Sequence, residues 1–298
     1  MSTPTGKLIT KMKNNSSLSH RNKEPESSTL YIVGTPIGNL NDISFRAINI
    51  LKNVSLIACE DTRQTKKIMN KFLISNSLIS FNEHNSVKKI PTMLEKLRAG
   101  KSIALVSDAG MPGVCDPGEN FVKAVKLEGF DVICIPGACA LIAALVSSGM
   151  PSSSFIFEGF LPKKKIDREK VLHEISKNEK TTIIYESPNR LKKLLKELHE
   201  FCGSNREVVV ARELTKKYEE QLGNSIEKVI NIFEGKEILG EITIVVKGIN
   251  KKNNFEFDES KLRMELLELK KAGLSLTAAS KYLAKKNGLK KSFIYNMY

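Results

Sequence analysis

The chain has 298 residues, with 47 Lys and Arg against 33 Asp and Glu, and so carries +14 at neutral pH. Hydrophobic residues make up 41% and aromatic residues 6%, which is enough to build a core and too much for a wholly disordered chain. No run approaches the roughly 18 apolar residues of a membrane span, and the start lacks the apolar stretch of a secretory signal. The five cysteines include no Cys-x-x-Cys pair and the four histidines are scattered, so neither a disulfide framework nor a metal site is expected. These features together predict a soluble, cytoplasmic protein.

Residues 1–29 are rich in Ser, Thr, Asn and Lys, carry a surplus of +3, and read as a disordered basic extension. From residue 30 to 248, short β-branched runs alternate with helical periodicity. Strands are predicted at 30–33, 56–59, 78–81, 102–107 and 131–135, then at 154–158, 181–186, 207–211 and 241–247. Helical patterns fill the gaps, as at 90–99, 191–201 and 225–233, the last with Ser225 as its N-cap. This alternation predicts an α/β protein built from crossover units. The stretch 147–154, with Gly149 and Pro151, divides it into domains at 30–150 and 151–250.

A polar break at 250–254 precedes a change of period. Leu262, Leu266, Leu267 and Leu269 fall on one helix, and 275–285 and 292–298 read as two short helices separated by Asn287-Gly288. Residues 255–298 are thus expected to form a helix-turn-helix-like tail. Residues 251–298 carry a surplus of +6, and Lys281, Lys285, Lys286, Lys290 and Lys291 interleave with Tyr282, Phe293, Tyr295 and Tyr298. Lysines neutralise phosphates and aromatics stack on bases, so the tail suits a nucleic-acid contact. A solvated helical face over an apolar underside fits the same charges equally well.

Gly100-Lys101-Ser102 resembles the end of a phosphate-binding loop, but it leads into a strand where that motif must open a helix, and it reads as a helix cap. No Gly-x-Gly-x-x-Gly follows a strand. Three Gly/Pro turns instead sit at the carboxyl ends of predicted strands: 34–40 (Gly-Thr-Pro-Ile-Gly-Asn-Leu), 107–118 and 136–140. Ligands of open α/β sheets bind beyond those ends, and glycine there lets the backbone come close. Each turn alone is loop punctuation; three at one sheet edge indicate a site. Glu60-Asp61-Thr62-Arg63, 157–162, 185–190 and 212–219 add acids beside bases at other strand ends, as the facing walls of a cleft would.

In this order the motifs 34–40, 60–63, 107–118, 136–137, 157–162, 185–190 and 212–219 resemble the small-subunit ribosomal RNA methyltransferase I family, of the tetrapyrrole methylase superfamily. The resemblance spans residues 30 to 247, and the tail is similar to that family's helix-turn-helix. It implies two α/β domains with S-adenosylmethionine bound in the cleft between them, plus a small helical module. The implied activity is 2′-O-methylation of a cytidine in the decoding region of 16S rRNA, on RNA or the 30S subunit, by a homodimer. By this likeness Pro36, Asp108, Ala109 and Gly110 line the donor pocket. Asp116, Ala138 and Cys139 lie near it, and Leu161, Glu213 and Leu214 close it. Met111 stands where Thr is expected, and Cys115 and Cys139 where Ser is common, which weakens any hydroxyl contact there.

A ribose hydroxyl is a poor nucleophile, so a group that takes its proton is expected among Glu60, Asp61, Glu186, Glu213 and Lys216. Each is equally an ion-pair partner of a neighbouring charge, and the sequence does not choose among them. Arg63, Arg190, Lys163, Lys164 and Lys165 are expected at RNA phosphates, together with Lys285, Lys286, Lys290 and Lys291 of the tail. A methylase of an anionic tetrapyrrole and a non-catalytic nucleic-acid binder are the competing readings. The basic tail speaks against the first and the three turns against the second.

Overall fold

The computed structural model describes residues 23–249, 259–287 and 291–298. The first sheet contains β1 (Thr29–Val33), β2 (Leu56–Cys59), β3 (Leu78–Ser80), β4 (Ile103–Val106) and β5 (Asp131–Ile135). The strands are all parallel, in the order β3-β2-β4-β1-β5. Its central strands are apolar at nearly every position because both faces are covered. Tyr31, Val33, Ile57 and Ala104 pack on one face with α1 (Phe45–Asn53) and α2 (Thr62–Lys71). Leu30, Ile32, Ala58 and Leu105 pack on the other with α3 (Ser86–Arg98) and α4 (Glu119–Leu127).

The second sheet contains β6 (Phe155–Phe160), β7 (Thr181–Glu186), β8 (Glu207–Arg212), β9 (Glu220–Ser225) and β10 (Ile242–Val246), in the order β6-β7-β10-β8-β9. Only β6 and β7 are parallel; β10 runs antiparallel between β7 and β8, and β9 forms a hairpin with β8. The expectation of crossover units therefore describes the first sheet and, in the second, only β6-α6-β7. Strand β9 was not expected: its sequence, Glu-Gln-Leu-Gly-Asn-Ser, has no apolar alternation, and it is an edge strand held by register with β8. Helices α6 (Lys165–Lys177), α7 (Pro188–Cys202) and α8 (Ile226–Phe233) cover one face through Leu172, Leu191, Leu195 and Val229. Ser225 does precede α8, but its side chain makes no capping bond.

The opposite face of the second sheet is covered by a helix that follows the first sheet in sequence, α5 (Ala140–Ser148). Its Leu141, Ala144 and Leu145 pack with Ile183, Val209, Ala211 and Val245. Residues 1–22 of the expected extension lie outside the described residues. Residues 23–29 are anchored, with Glu24 paired to Arg46 at 2.5 Å, Ser28 donating to the Leu97 carbonyl and Thr29 opening β1. Strand β1 thus opens one residue ahead of the predicted 30–33, where Thr29 pairs with Asp131.

A second unit begins at Ile249 and holds α9 (Glu259–Lys271), α10 (Leu276–Asn287) and α11 (Lys291–Tyr295). Leu262, Leu266, Ala279, Leu283, Ile294 and Met297 make its small core, whereas Leu267 is exposed. Lys286 bonds Glu265 at 2.9 Å, and the Lys270 ammonium lies 3.9 Å from the centre of the Tyr298 ring. The polar break at 250–254 and Lys290 lie outside the described residues.

At the ends of β1 and β5 two turns meet backbone to backbone. A Cβ on Gly34 would stand 2.7 Å from the Gly137 Cα, and the reverse is equally true. Gly34→Ala and Gly137→Ala should each cost about 1–3 kcal/mol through overpacking, read as a lower midpoint of urea unfolding.

Candidate active site

Strand order sets β4, β1 and β5 side by side, so the three turns that follow them adjoin. The Gly34 N–H donates to the Ile135 carbonyl at 3.1 Å. Thr35 and Gly110 exchange backbone bonds of 2.8 and 3.1 Å, and the Thr35 hydroxyl reaches the Gly110 carbonyl. The turns open into a cleft of about 420 Å³ whose far wall is the second sheet. Ile37, Glu60, residues 108–111 and 114–116, Cys139 and Ala140 line one side, and Phe160, residues 185–188, Ala211, Leu214 and residues 240–243 the other.

Among the residues expected at the donor pocket, Asp108, Ala109, Gly110, Asp116, Cys139 and Leu214 line this cleft. Pro36, Ala138, Leu161 and Glu213 do not. Ile37 presents its side chain in place of Pro36, Ala138 packs on the apolar cluster around α5, and Leu161 is buried in the core of the second sheet. Met111, Cys115 and Cys139, the three departures from the family pattern, all line the cleft.

Of the expected proton acceptors, Glu60 and Glu186 reach the cleft wall. Glu186 is buried in an ion network. Its Oε1 lies 2.6 Å from Arg190 and accepts the Ser187 N–H at 2.8 Å, while its Oε2 lies 3.5 Å from Arg168, itself bound to Glu197. Asp61 turns outward onto Arg63 at 2.6 Å. Glu213 and Lys216 pair at 2.7 Å, and Lys216 also bonds Glu241 at 2.8 Å. Burial opposes the charge on Glu213, yet the ammonium and the Glu241 N–H hold its carboxyl below the usual range. Of these five, Glu60 alone lines the cleft without an ion-pair partner among the described residues.

Glu60, Asp108 and Asp116 form an acidic cluster in the cleft. Burial pushes each carboxyl up, and the negative neighbours push Glu60 and Asp116 further. Of the RNA-contact candidates, Arg63, Lys163, Lys164, Lys165, Lys285 and Lys291 are exposed. Arg190 is half-buried against Glu186, and Lys286 is paired with Glu265.

Sequence reasoning did not single out Tyr185 as a site residue. Its hydroxyl accepts the Leu141 N–H at 3.1 Å, and its ring stacks edge-on with Phe157 at 4.9 Å. Cys139 occupies the N-cap of α5 without a side-chain cap bond, so the phenol from the other wall serves the N–H that a serine cap would serve. Burial holds the phenol far above its ordinary range, protonated.

Residues 29–230 match the family of Tetrapyrrole (Corrin/Porphyrin) Methylases. The chain is 48% identical over 219 residues to a Ribosomal RNA small subunit methyltransferase I of Thermotoga maritima, covering 74% of this chain and 98% of that one. The protein of the same name from Synechocystis sp. is 43% identical over 268 residues, 90% and 96% of the two chains. Among solved structures, a cobalt precorrin-4 methyltransferase of cobalamin biosynthesis superposes with a TM-score of 0.57 at 18% identity, over 74% of this chain and 95% of that one. A uroporphyrin-III C-methyltransferase of Thermus thermophilus complexed with S-adenosylhomocysteine gives 0.52 at 16%, over 73% and 96%. At these identities the structures attest the fold.

Two measurements test this geometry. Tyr185→Phe strands the Leu141 N–H and should cost about 1–3 kcal/mol in urea unfolding, and the loss should shrink in a Cys139→Ser background, where a hydroxyl caps α5. Asp116 has a folded pKa above its unfolded one, so its charge costs stability once the pH rises through the folded value. Asp116→Asn should therefore raise Tm at pH 8, by an amount that fades as the pH falls into the carboxylate range.

Proposed function

The chain belongs to the ribosomal RNA small subunit methyltransferase I family of the tetrapyrrole methylases, and from that premise we propose that it methylates rRNA with S-adenosylmethionine as donor. The acceptor in this reading is the ribose 2′-oxygen of a cytidine in the decoding region of 16S rRNA. The observation that carries the reading is the cleft. Its size falls in the range of small-molecule sites, its walls are apolar at Ile37, Met111, Phe160 and Leu214, and it gathers Glu60, Asp108 and Asp116 beside the ion-paired Glu186 and Glu241. A donor that is part aromatic, part aliphatic and cationic at sulfur fits that combination. Asp108, Ala109, Gly110, Asp116, Cys139 and Leu214 would hold it, with the carboxylates opposite its positive charge.

Bound there, the donor supplies a methyl group already activated on a sulfonium. The chain's own task is to place the ribose oxygen in line at about 3–3.5 Å and to receive its proton. Glu60 is the acceptor in this account, because the cleft wall presents it without a cationic partner and burial raises its affinity for a proton. Glu186 instead fixes Arg190 and the start of α7. RNA would be gripped by exposed Arg63 and Lys163–165, and by Lys285 and Lys291 of the tail beside Tyr282 and Tyr295. Ile142 and Val146, exposed one helical turn apart on α5, together with the edge strand β5, offer a second copy of the chain an apolar surface.

The test is transfer of radiolabelled methyl to 30S subunits, with the product mapped by resistance to alkaline hydrolysis. A single protected cytidine is the expected outcome. Label without alkali protection would move the acceptor to a base or a protein, and no label on RNA would bring the small-molecule methylase forward. Glu60→Gln should cut the rate about 10²- to 10⁴-fold while S-adenosylhomocysteine still raises Tm. Lys291→Ala should weaken RNA binding and reduce its salt slope by about one.

A further inference from the structure

Beside the donor cleft, beyond the carboxyl ends of β2 and β3, lies a second and polar depression of about 460 Å³. The two cavities share Glu60 and Asp108 as a common wall. We propose that this depression seats one unpaired ribonucleotide whose base carries an exocyclic amino group, and that Glu83 reads that group. The inference rests on the transfer to RNA proposed above and adds the recognition of the base.

The charges of the depression decide what fits. Glu60, Asp61, Glu83 and Asp108 face it against a single guanidinium, Arg63. A groove for phosphates would be basic, so the occupant must offer hydrogen-bond donors instead. A ribonucleoside does so at its sugar hydroxyl, and cytosine or adenine does so again at the amino group. Carboxylates accept from such amines, which is how Glu and Asp read cytosine in nucleic-acid grooves. The sugar belongs at the common wall, where Glu60 faces both cavities.

The loop that presents Glu83 is closed by its own hydrogen bonds. The Asn82 N–H donates to the Asn85 Oδ1 at 3.0 Å and the Asn85 N–H to the Asn82 Oδ1 at 3.1 Å. Both side-chain amides then donate to the Ser80 Oγ at 3.3 Å. Glu83 and His84 stand exposed at the tip of this closed ring, a carboxylate beside a flat ring on which a splayed base can stack. Arg63 stands at the rim. Asp61, the N-cap of α2, holds its Nε at 3.1 Å and one Nη2 at 2.6 Å, which leaves Nη1 for the one phosphate that accompanies the nucleotide.

The experiment uses 30S subunits carrying either cytidine or uridine at the methylated position, with initial rates for the full chain and two variants. The wild type should favour cytidine about 5- to 100-fold in kcat/KM, and Glu83→Gln should bring that ratio close to one, because the amide accepts from cytosine through its oxygen and donates to uracil through its nitrogen, where the carboxylate only accepts. His84→Ala should raise KM about 5- to 100-fold, and His84→Phe should restore it. The Tm rise with S-adenosylhomocysteine should be the same in all variants, since neither residue lines the donor cleft. An unchanged cytidine-to-uridine ratio in Glu83→Gln, or an unchanged KM in His84→Ala, would overturn the assignment while leaving RNA methylation standing. A wild-type chain that labels no RNA would overturn both.

Discussion

One hydrogen bond, from the Leu141 N–H to the Tyr185 hydroxyl, joins the two walls of the cleft. Helix α5 starts from the turn after β5, and so belongs by sequence to the parallel sheet. Its apolar face nevertheless lies on β7, β8 and β10 of the mixed sheet. The helix therefore links the two walls of the cleft. A second weld lies across from it, where the Asn39 N–H donates to the Thr215 hydroxyl at 3.0 Å and the Gly38 Cα sits beneath Thr215 and Lys216. Both joints tie a Gly/Pro turn of the first sheet to a strand or loop of the second.

Around this frame the protein carries features that stability alone would not select. Glu60, Asp108 and Asp116 are gathered where burial and mutual repulsion disfavour their charges. Cys115, Glu213 and Thr215 hold the left-handed backbone that favours glycine, at φ of +63°, +53° and +67°. Cys115 lines the cleft, and the other two belong to the loop that closes against Gly38. Such strain persists where the surrounding structure over-determines it, and functional loops are where it gathers. A cationic ligand relieves the electrostatic part of that cost, because it supplies the opposite charge that the carboxylates lack.

The parallel sheet and its three turns were legible because apolar β-branched runs ending in Gly and Pro leave few alternatives. Strand β9 was not legible, since it is polar along its length and depends on β8 for its register. The motif 212–219 marked the right loop, but sequence does not say which way a side chain faces. Leu214 enters the cleft, and Glu213 turns to Lys216 and the Glu241 N–H. Tyr185 was hidden for a related reason: its role is a bond to a residue 44 positions away that exists only after both sheets have formed. Glu83 and His84 belong to none of the sequence motifs, and the fold alone sets them at one depression with Glu60.

An acidic cleft shared by two sheets suits a cationic methyl donor. Isothermal titration of the full chain with S-adenosylmethionine, and separately with the neutral thioether S-adenosylhomocysteine, tests it most directly when run in buffers of different ionisation enthalpy. Carboxyls whose proton affinity is raised by burial and repulsion must give up protons when a positive charge arrives. Proton release is expected at mildly acidic pH, larger for the sulfonium than for the thioether. Equal proton release for the two, or binding unaffected by Asp116→Asn, would contradict it.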